Sequence, residues 1–183
     1  MLFRSVQGNV CLDNGLVAIG LVAGTVGIVT GNQFQRNGGM PPIVAIKGDS
    51  SITFENNQIH GGGVCALLVE GRATIVRNRF MGREGEQGRG IWIWQDSSVI
   101  AQENRLENYG APVSATKSEL VVCRNQFYNF EGVAISMGEC PVGCLVAENR
   151  GFSDDENSVM LQTTGEKIVE QDNQLVKSPE PSE

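Results

Sequence analysis

The chain has 183 residues, 40% of them hydrophobic, enough apolar material for a real core in one domain or at most two. Its 21 Asp and Glu outnumber 14 Lys and Arg, giving a net charge of −7, so composition supports neither nucleic acid nor anionic lipid as a broad electrostatic partner. With 23 Gly against 2 Trp, 2 Tyr and 7 Phe, it suits tight turns and thin layers better than thick helix packing.

The N-terminal stretch MLFRSVQGNVC has no basic region followed by an apolar run and a small-residue cleavage site, so it does not read as a signal peptide. The five cysteines, Cys11, Cys65, Cys123, Cys140 and Cys144, form an odd set without disulfide-rich spacing. A reducing compartment is the simpler reading and favours the cytoplasm, while one or two disulfides, including a local one in CPVGC, stay open. Residues 14–35 carry no charge and are long enough to cross a membrane by count. Their five glycines, polar end and place in the repeat argue against insertion.

That repeat is an Asn followed two positions later by a residue that is usually apolar. It recurs at Asn9, Asn32, Asn57, Asn78, Asn104, Asn125, Asn149 and Asn173, at intervals of 23, 25, 21, 26, 21, 24 and 24. A sustained period of this size marks a solenoid. Counting back five and three positions from each Asn gives pairs such as Ile52/Phe54, Ala73/Ile75 and Leu120/Val122, whose separation of two is strand periodicity. Glu170 is the charged exception, in the last repeat, where terminal units depart from pattern.

Counting back thirteen and eleven positions gives a second strand: Ile19/Leu21, Val44/Ile46, Cys65/Leu67 and Ile91/Ile93. Later repeats keep apolar strands at PVSA, VAISM and SVML in shifted register. Each repeat therefore reads as strand, tight turn, strand, Asn turn, apolar position and variable loop. The expectation is an all-β parallel β-helix solenoid of about 7–8 coils of about 23 residues, about 4.8 Å per coil. It occupies residues 1–176 as a single domain, with 177–183 as a flexible tail.

An Asn turned inward at a sharp corner can bond the backbone and the amide of the next coil without burying a charge. The eight Asn are therefore read as a structural ladder. Two residues beyond them lies a core column with Phe34, Phe80 and Phe127, and its thinning is expected at Gly151.

This pattern resembles the right-handed parallel β-helix proteins of the pectin-lyase-like superfamily, over roughly residues 9–176. The resemblance implies the right-handed sense. It also covers lyases, hydrolases, epimerases, tailspikes and noncatalytic scaffolds, so it implies a fold and not an activity. The chain matches none of the catalytic motifs of the enzymatic members.

Three constellations remain. Eight positions before the Asn lie Asp49, Glu70, Asp96 and Lys117, expected to form one column. They are either solvated turn residues or a carboxylate set whose oxygens would suit Ca2+. Beside the Asn column, Arg77, Glu103, Arg124 and Glu148 alternate in sign as cross-strand pairs would, while Arg79 and Arg105 stand outside that alternation and could meet an anion.

The third is GRGIWIWQD. If Ile91 and Ile93 point inward, alternation turns Trp92 and Trp94 outward, with Ala45 and Ala66 in the column of Trp92 and Lys47 and Leu68 in that of Trp94. Exposed indoles on a sheet face suit a protein partner, self-association or a glycan, with residues 81–90 as a rim. The leading functional expectation is a noncatalytic scaffold or protein-interaction module, able to form a homo-oligomer and needing no cofactor. The alternative is a carbohydrate-binding or polysaccharide-degrading protein.

Overall fold

The structure, a computed structural model, describes residues 3–36, 39–85 and 88–177. Alternating apolar residues build three parallel sheets, here A, B and C. Sheet A has eight strands in chain order, Phe3–Gln7, Val26–Thr30, Ser51–Glu55, Arg72–Val76, Ser98–Gln102, Glu119–Cys123, Cys144–Ala147 and Ile168–Gln171. Sheet B stacks eight strands, each opening on the residue after a repeat Asn, from Val10–Leu12 to Gln174–Lys177. Sheet C stacks seven, from Ile19–Leu21 to Val159–Thr163. Among the described residues no helix forms, and none is long and apolar enough to cross a membrane. The uncharged segment 14–35 instead supplies one strand to each sheet.

Every coil turns from sheet A to sheet B through two residues. The first has a left-handed backbone, φ 51° to 63°, at Gly8, Gly31, Asn56, Arg77, Glu103, Arg124, Glu148 and Asp172. The second is the repeat Asn, whose Nδ2 donates to the Oδ1 of the next Asn at 2.9–3.0 Å through all seven steps from Asn9 to Asn173. That Oδ1 also accepts the backbone N–H of the Asn before it. From Asn32 onward, the second Nδ2 hydrogen reaches a sheet A carbonyl of the preceding coil, such as Ile75 O for Asn104 at 2.8 Å. Buried amide groups at this corner are thus satisfied by their own column, as the spacing predicts.

The core runs without a break from Leu21 to Met160, with Phe34, Phe54 and Phe80 stacked at 6.3 and 6.5 Å. Gly151 does not thin it. Strand pairing continues from Phe127 through Gly151 to Leu175, and a Cβ at Gly151 would strike Met160, Leu175 and Phe130. Side chains from neighbouring strands and the 129–132 loop fill the space that the glycine leaves.

Glu170 is exposed, as its terminal place requires. The N-terminal residues Phe3–Gln7 are a strand of sheet A, paired with Val26–Thr30. Lys177, expected to open the tail, closes the strand Gln174–Lys177, and the rest of the expected tail lies outside the described residues.

Candidate contact face

Sheet C positions the tryptophans. Ile91 and Ile93 are fully buried, so alternation along Arg89–Ile93 turns Trp92 outward, and Trp94 follows at the strand's end. The rings meet edge to face, centroids 4.9 Å apart. The Arg89 guanidinium lies over the Trp92 ring at 4.6 Å and leaves that indole half-buried, whereas Trp94 is 42% exposed. Residues 86 and 87 of the expected rim lie outside the described residues.

The neighbours of the indoles differ from the expected columns. Trp92 pairs with Leu68, and Leu68 with Ala45, so Leu68 belongs to the Trp92 column and Ala66 does not. Trp94 N–H donates to Val69 O and Glu70 N–H to Ile46 O, each at 2.8 Å, which aligns Lys47, Glu70 and Trp94. Lys47 Nζ meets Glu70 Oε1 at 3.0 Å within that row. The four residues expected together, Lys47, Leu68, Trp92 and Trp94, do occupy adjoining positions, in a register offset by the short turn at Glu70. Beyond Trp92 the same column carries Ser114, Ser136 and Gln162.

The acidic residues do not form the single column that counting predicts. Four residues separate sheets C and A at Lys47–Ser50 and again at Trp94–Ser97, but only Glu70 and Gly71 do so in the coil between. Asp49 and Asp96 sit in left-handed turn positions, φ 58° and 60°, while Glu70 stands at the strand end facing Lys47. A groove of about 860 Å³ runs along these turns, lined by all three carboxylates and also by Arg72 and Lys117. Among the described residues no three His, Cys, Asp or Glu converge in a group that could hold a metal ion.

Outer sheet B resolves the arginines. Arg79 and Arg105 both reach Glu107, at 3.8 and 3.1 Å, a shared partner that spacing from the Asn did not single out. Arg105 lies 4.1 Å over the Tyr128 ring, and Tyr128 stacks on Phe152 at 4.6 Å with planes 5° apart. Arg124 bridges Glu103 and Glu148, as the sign alternation implies, but Arg77 turns back to Glu55. The Gln102 amide, followed by Arg124, holds the Glu103 carboxyl below its ordinary value.

Two further features escaped the sequence. Arg36 is only 3% exposed, and its guanidinium donates to the carbonyls of Leu16, Pro41, Pro42 and Gly62, tying three successive loops together. Burial lowers its pKa, and among the described residues its Nε has no hydrogen-bond partner. Arg36 occupies the position four beyond its Asn; at the same position in later coils Asn108 and Asn129 form a second, two-rung amide pair at 3.0 Å, with partners unlike those of Arg36.

Cys140 and Cys144 are bridged, Cα atoms 6.3 Å apart, against the reduced state favoured by the odd cysteine count. Five residues suffice here because Cys144 begins an inward strand and the loop folds Cys140 back onto it. Cys11, Cys65 and Cys123 are free, and burial pushes the Cys65 thiol up to about 12. His60 ends a sheet B strand between Gln35 and Met81.

Comparison with protein families matches residues 41–174 to the right handed beta helix region. Neither a curated protein nor a solved structure matches the chain.

Proposed function

The chain belongs to the right-handed β-helix family, and from that premise we propose that it is a noncatalytic scaffold that offers the outer face of sheet C to another protein. The observation that carries this reading is the Trp92/Trp94 pair. The exposed Trp94 and the half-buried Trp92 stand together on the outer face of a parallel sheet, bordered by Leu68 and by the Lys47–Glu70 ion pair. An apolar centre with a charged rim is the anatomy of a protein contact, and tryptophans are its most frequent anchors. Arg89 over Trp92 favours a protein over a sugar there, because it occupies the ring face on which a pyranose would stack.

A second reading, glycan binding, is favoured by one feature. Ser114, Ser136 and Gln162 follow Trp92 up the same column, a line of hydroxyl and amide groups at coil spacing that could follow a linear sugar chain. Calcium-assisted or lyase chemistry at Asp49, Glu70 and Asp96 has less support, since Glu70 is engaged by Lys47 and the other two build turns.

The test is quantitative affinity capture with the wild-type chain and the W92A/W94A variant side by side, with a glycan array run in parallel. A protein retained by the wild type and weakened about tenfold or more in the variant fits the proposal. Sugar binding lost in the variant transfers the face to the second reading. Capture and array profiles identical for the two chains would contradict both.

A further inference from the structure

Sheet A carries an outer face of a different kind from the other two. Its central outward column, one residue per coil, is Ile28, Thr53, Thr74, Ile100, Val121 and Leu145. Ile100 is 42% exposed and the other five are half-buried. The outward line on sheet B runs instead through Gln58, Arg79, Arg105 and Gln126, and on sheet C it passes from Trp92 to Ser114, Ser136 and Gln162. Five of the six sheet A residues are β-branched, with few rotamers to lose, so little side-chain entropy opposes their burial. No other described strand packs on this face.

The face has relief. Before Ile100 the threonines leave a hollow of about 180 Å³, lined by Ser51, Thr53, Arg72, Thr74, Ser98 and Ile100. After Ile100 the apolar Val121 and Leu145 continue the column.

It also has charge. Arg72 and Glu119 stand in the flanking column, one coil before Ser98 and one coil after it. Both are exposed, and among the described residues neither takes part in an ion pair. Two coil spacings, about 10 Å, keep them apart within one chain.

We propose that this face is the contact between two copies of the chain, related by a two-fold axis along the strand Ser98–Gln102. Such an axis keeps the strand direction and reverses the coil order, so each residue meets the one an equal number of coils beyond Ser98. Ile100 then packs on Ile100 of the second copy, while Val121 and Leu145 of that copy stand over the hollow at Thr74 and Thr53. Arg72 comes opposite Glu119 of the second copy, twice in the dimer. At the other edge of the sheet the two Glu103 meet between Arg77 and Arg124 of both copies, so the charges there offset one another. Relief and charge are thus self-complementary about one strand, which is what an isologous contact requires and what an unrelated partner would not need. Six coils of five-residue strands give roughly 500 Å² per copy, at the lower edge of specific interfaces, so the dimer is weak and depends on concentration. Sheet C stays outside the contact, and the dimer offers its tryptophan face twice.

Sedimentation velocity over about a 100-fold concentration range tests this. The wild type is expected to pass from monomer to dimer. R72E or E119R alone should weaken the dimer by on the order of fivefold or more, since each opposes like charges at two places. An equal mixture of the two variants should regain wild-type association, because both contacts in the mixed dimer again join unlike charges, and that recovery also shows both variants to be folded. W92A/W94A should dimerise as the wild type does. A wild type that stays monomeric, reversals without effect or a mixture that fails to recover would overturn the proposal. So would a dimer lost in W92A/W94A, which would place the contact on sheet C.

Discussion

The corner between sheets A and B and the corner between sheets C and A do the same topological job under opposite constraints. The first spans two residues in every coil, the second four, four, two, four, three, six and four. At the first, each Asn amide from Asn32 to Asn149 is bonded to the coils above and below, so one inserted residue would break several buried hydrogen bonds at once. At the second, turns close on a buried residue such as Thr25, Ser50, Ser97 or Ser118, whose hydroxyl reaches a backbone carbonyl, but the exposed residues ahead of it, Asp49 and Gln95 among them, leave room for the length to change. Stacking is therefore held at the constant corner, whereas the groove and the tryptophan face are shaped beside the variable one.

The largest expected effect falls on the constant corner. Asn104→Leu removes the acceptor for the Asn78 backbone and side-chain N–H groups and the donor to Ile75 O and Asn125 Oδ1. Urea melts should show a loss of about 3–5 kcal/mol, against about 1 kcal/mol for Asn173→Leu in the half-exposed last coil. Equal losses would mean that the column adds nothing beyond its individual turns. Next comes Gly31→Val, which forces a β-branched residue to φ 63° and should cost about 1–2 kcal/mol.

By contrast, inserting two residues between Glu70 and Gly71, to match the neighbouring turns, should change stability by less than about 1 kcal/mol. A loss as large as that of Asn104→Leu would erase the distinction between the corners.

The smallest effect concerns acid. The Glu103 carboxyl is held below its ordinary value by Gln102 and then Arg124, so its contribution is present at neutral pH and is lost as pH falls through the folded value. Glu103→Gln should therefore flatten the stability profile slightly on the acid side, and thermal melts of both chains at neutral pH and about pH 3 will measure it.

The same contrast explains what the sequence revealed. Because Asn9 to Asn173 keep a fixed distance from the strands on either side, the sheet A and B columns, the ladder and the parallel solenoid could be read from spacing, while the right-handed sense came with the resemblance to known β-helix proteins. Counting backwards across the variable corner carried the error of that corner. The two-residue turn at Glu70 and Gly71 displaced the sheet C register, so Leu68 was assigned to Trp94 instead of Trp92, and Asp49, Glu70 and Asp96 were merged into one column.

The outward direction of the indoles survived, because it depends only on alternation from Ile91 and Ile93. Contacts such as Arg89 on Trp92, Glu107 between two arginines and Arg36 among loop carbonyls depend on side-chain reach, for which no period exists. The filling of the Gly151 gap by Met160 likewise comes from another sheet and leaves no mark at Gly151 itself.

Residue-resolved hydrogen exchange on the wild-type chain tests the division of labour between the corners most directly. The backbone N–H groups of Asn57, Asn78 and Asn104, each bonded to the next Asn Oδ1, should exchange among the slowest in the protein, with protection approaching that of global unfolding. The turn amides of Asp49 and Gln95 should exchange orders of magnitude faster. Equal protection at the two corners, or faster exchange at the Asn positions, would contradict the claim that the Asn column holds the coils in register.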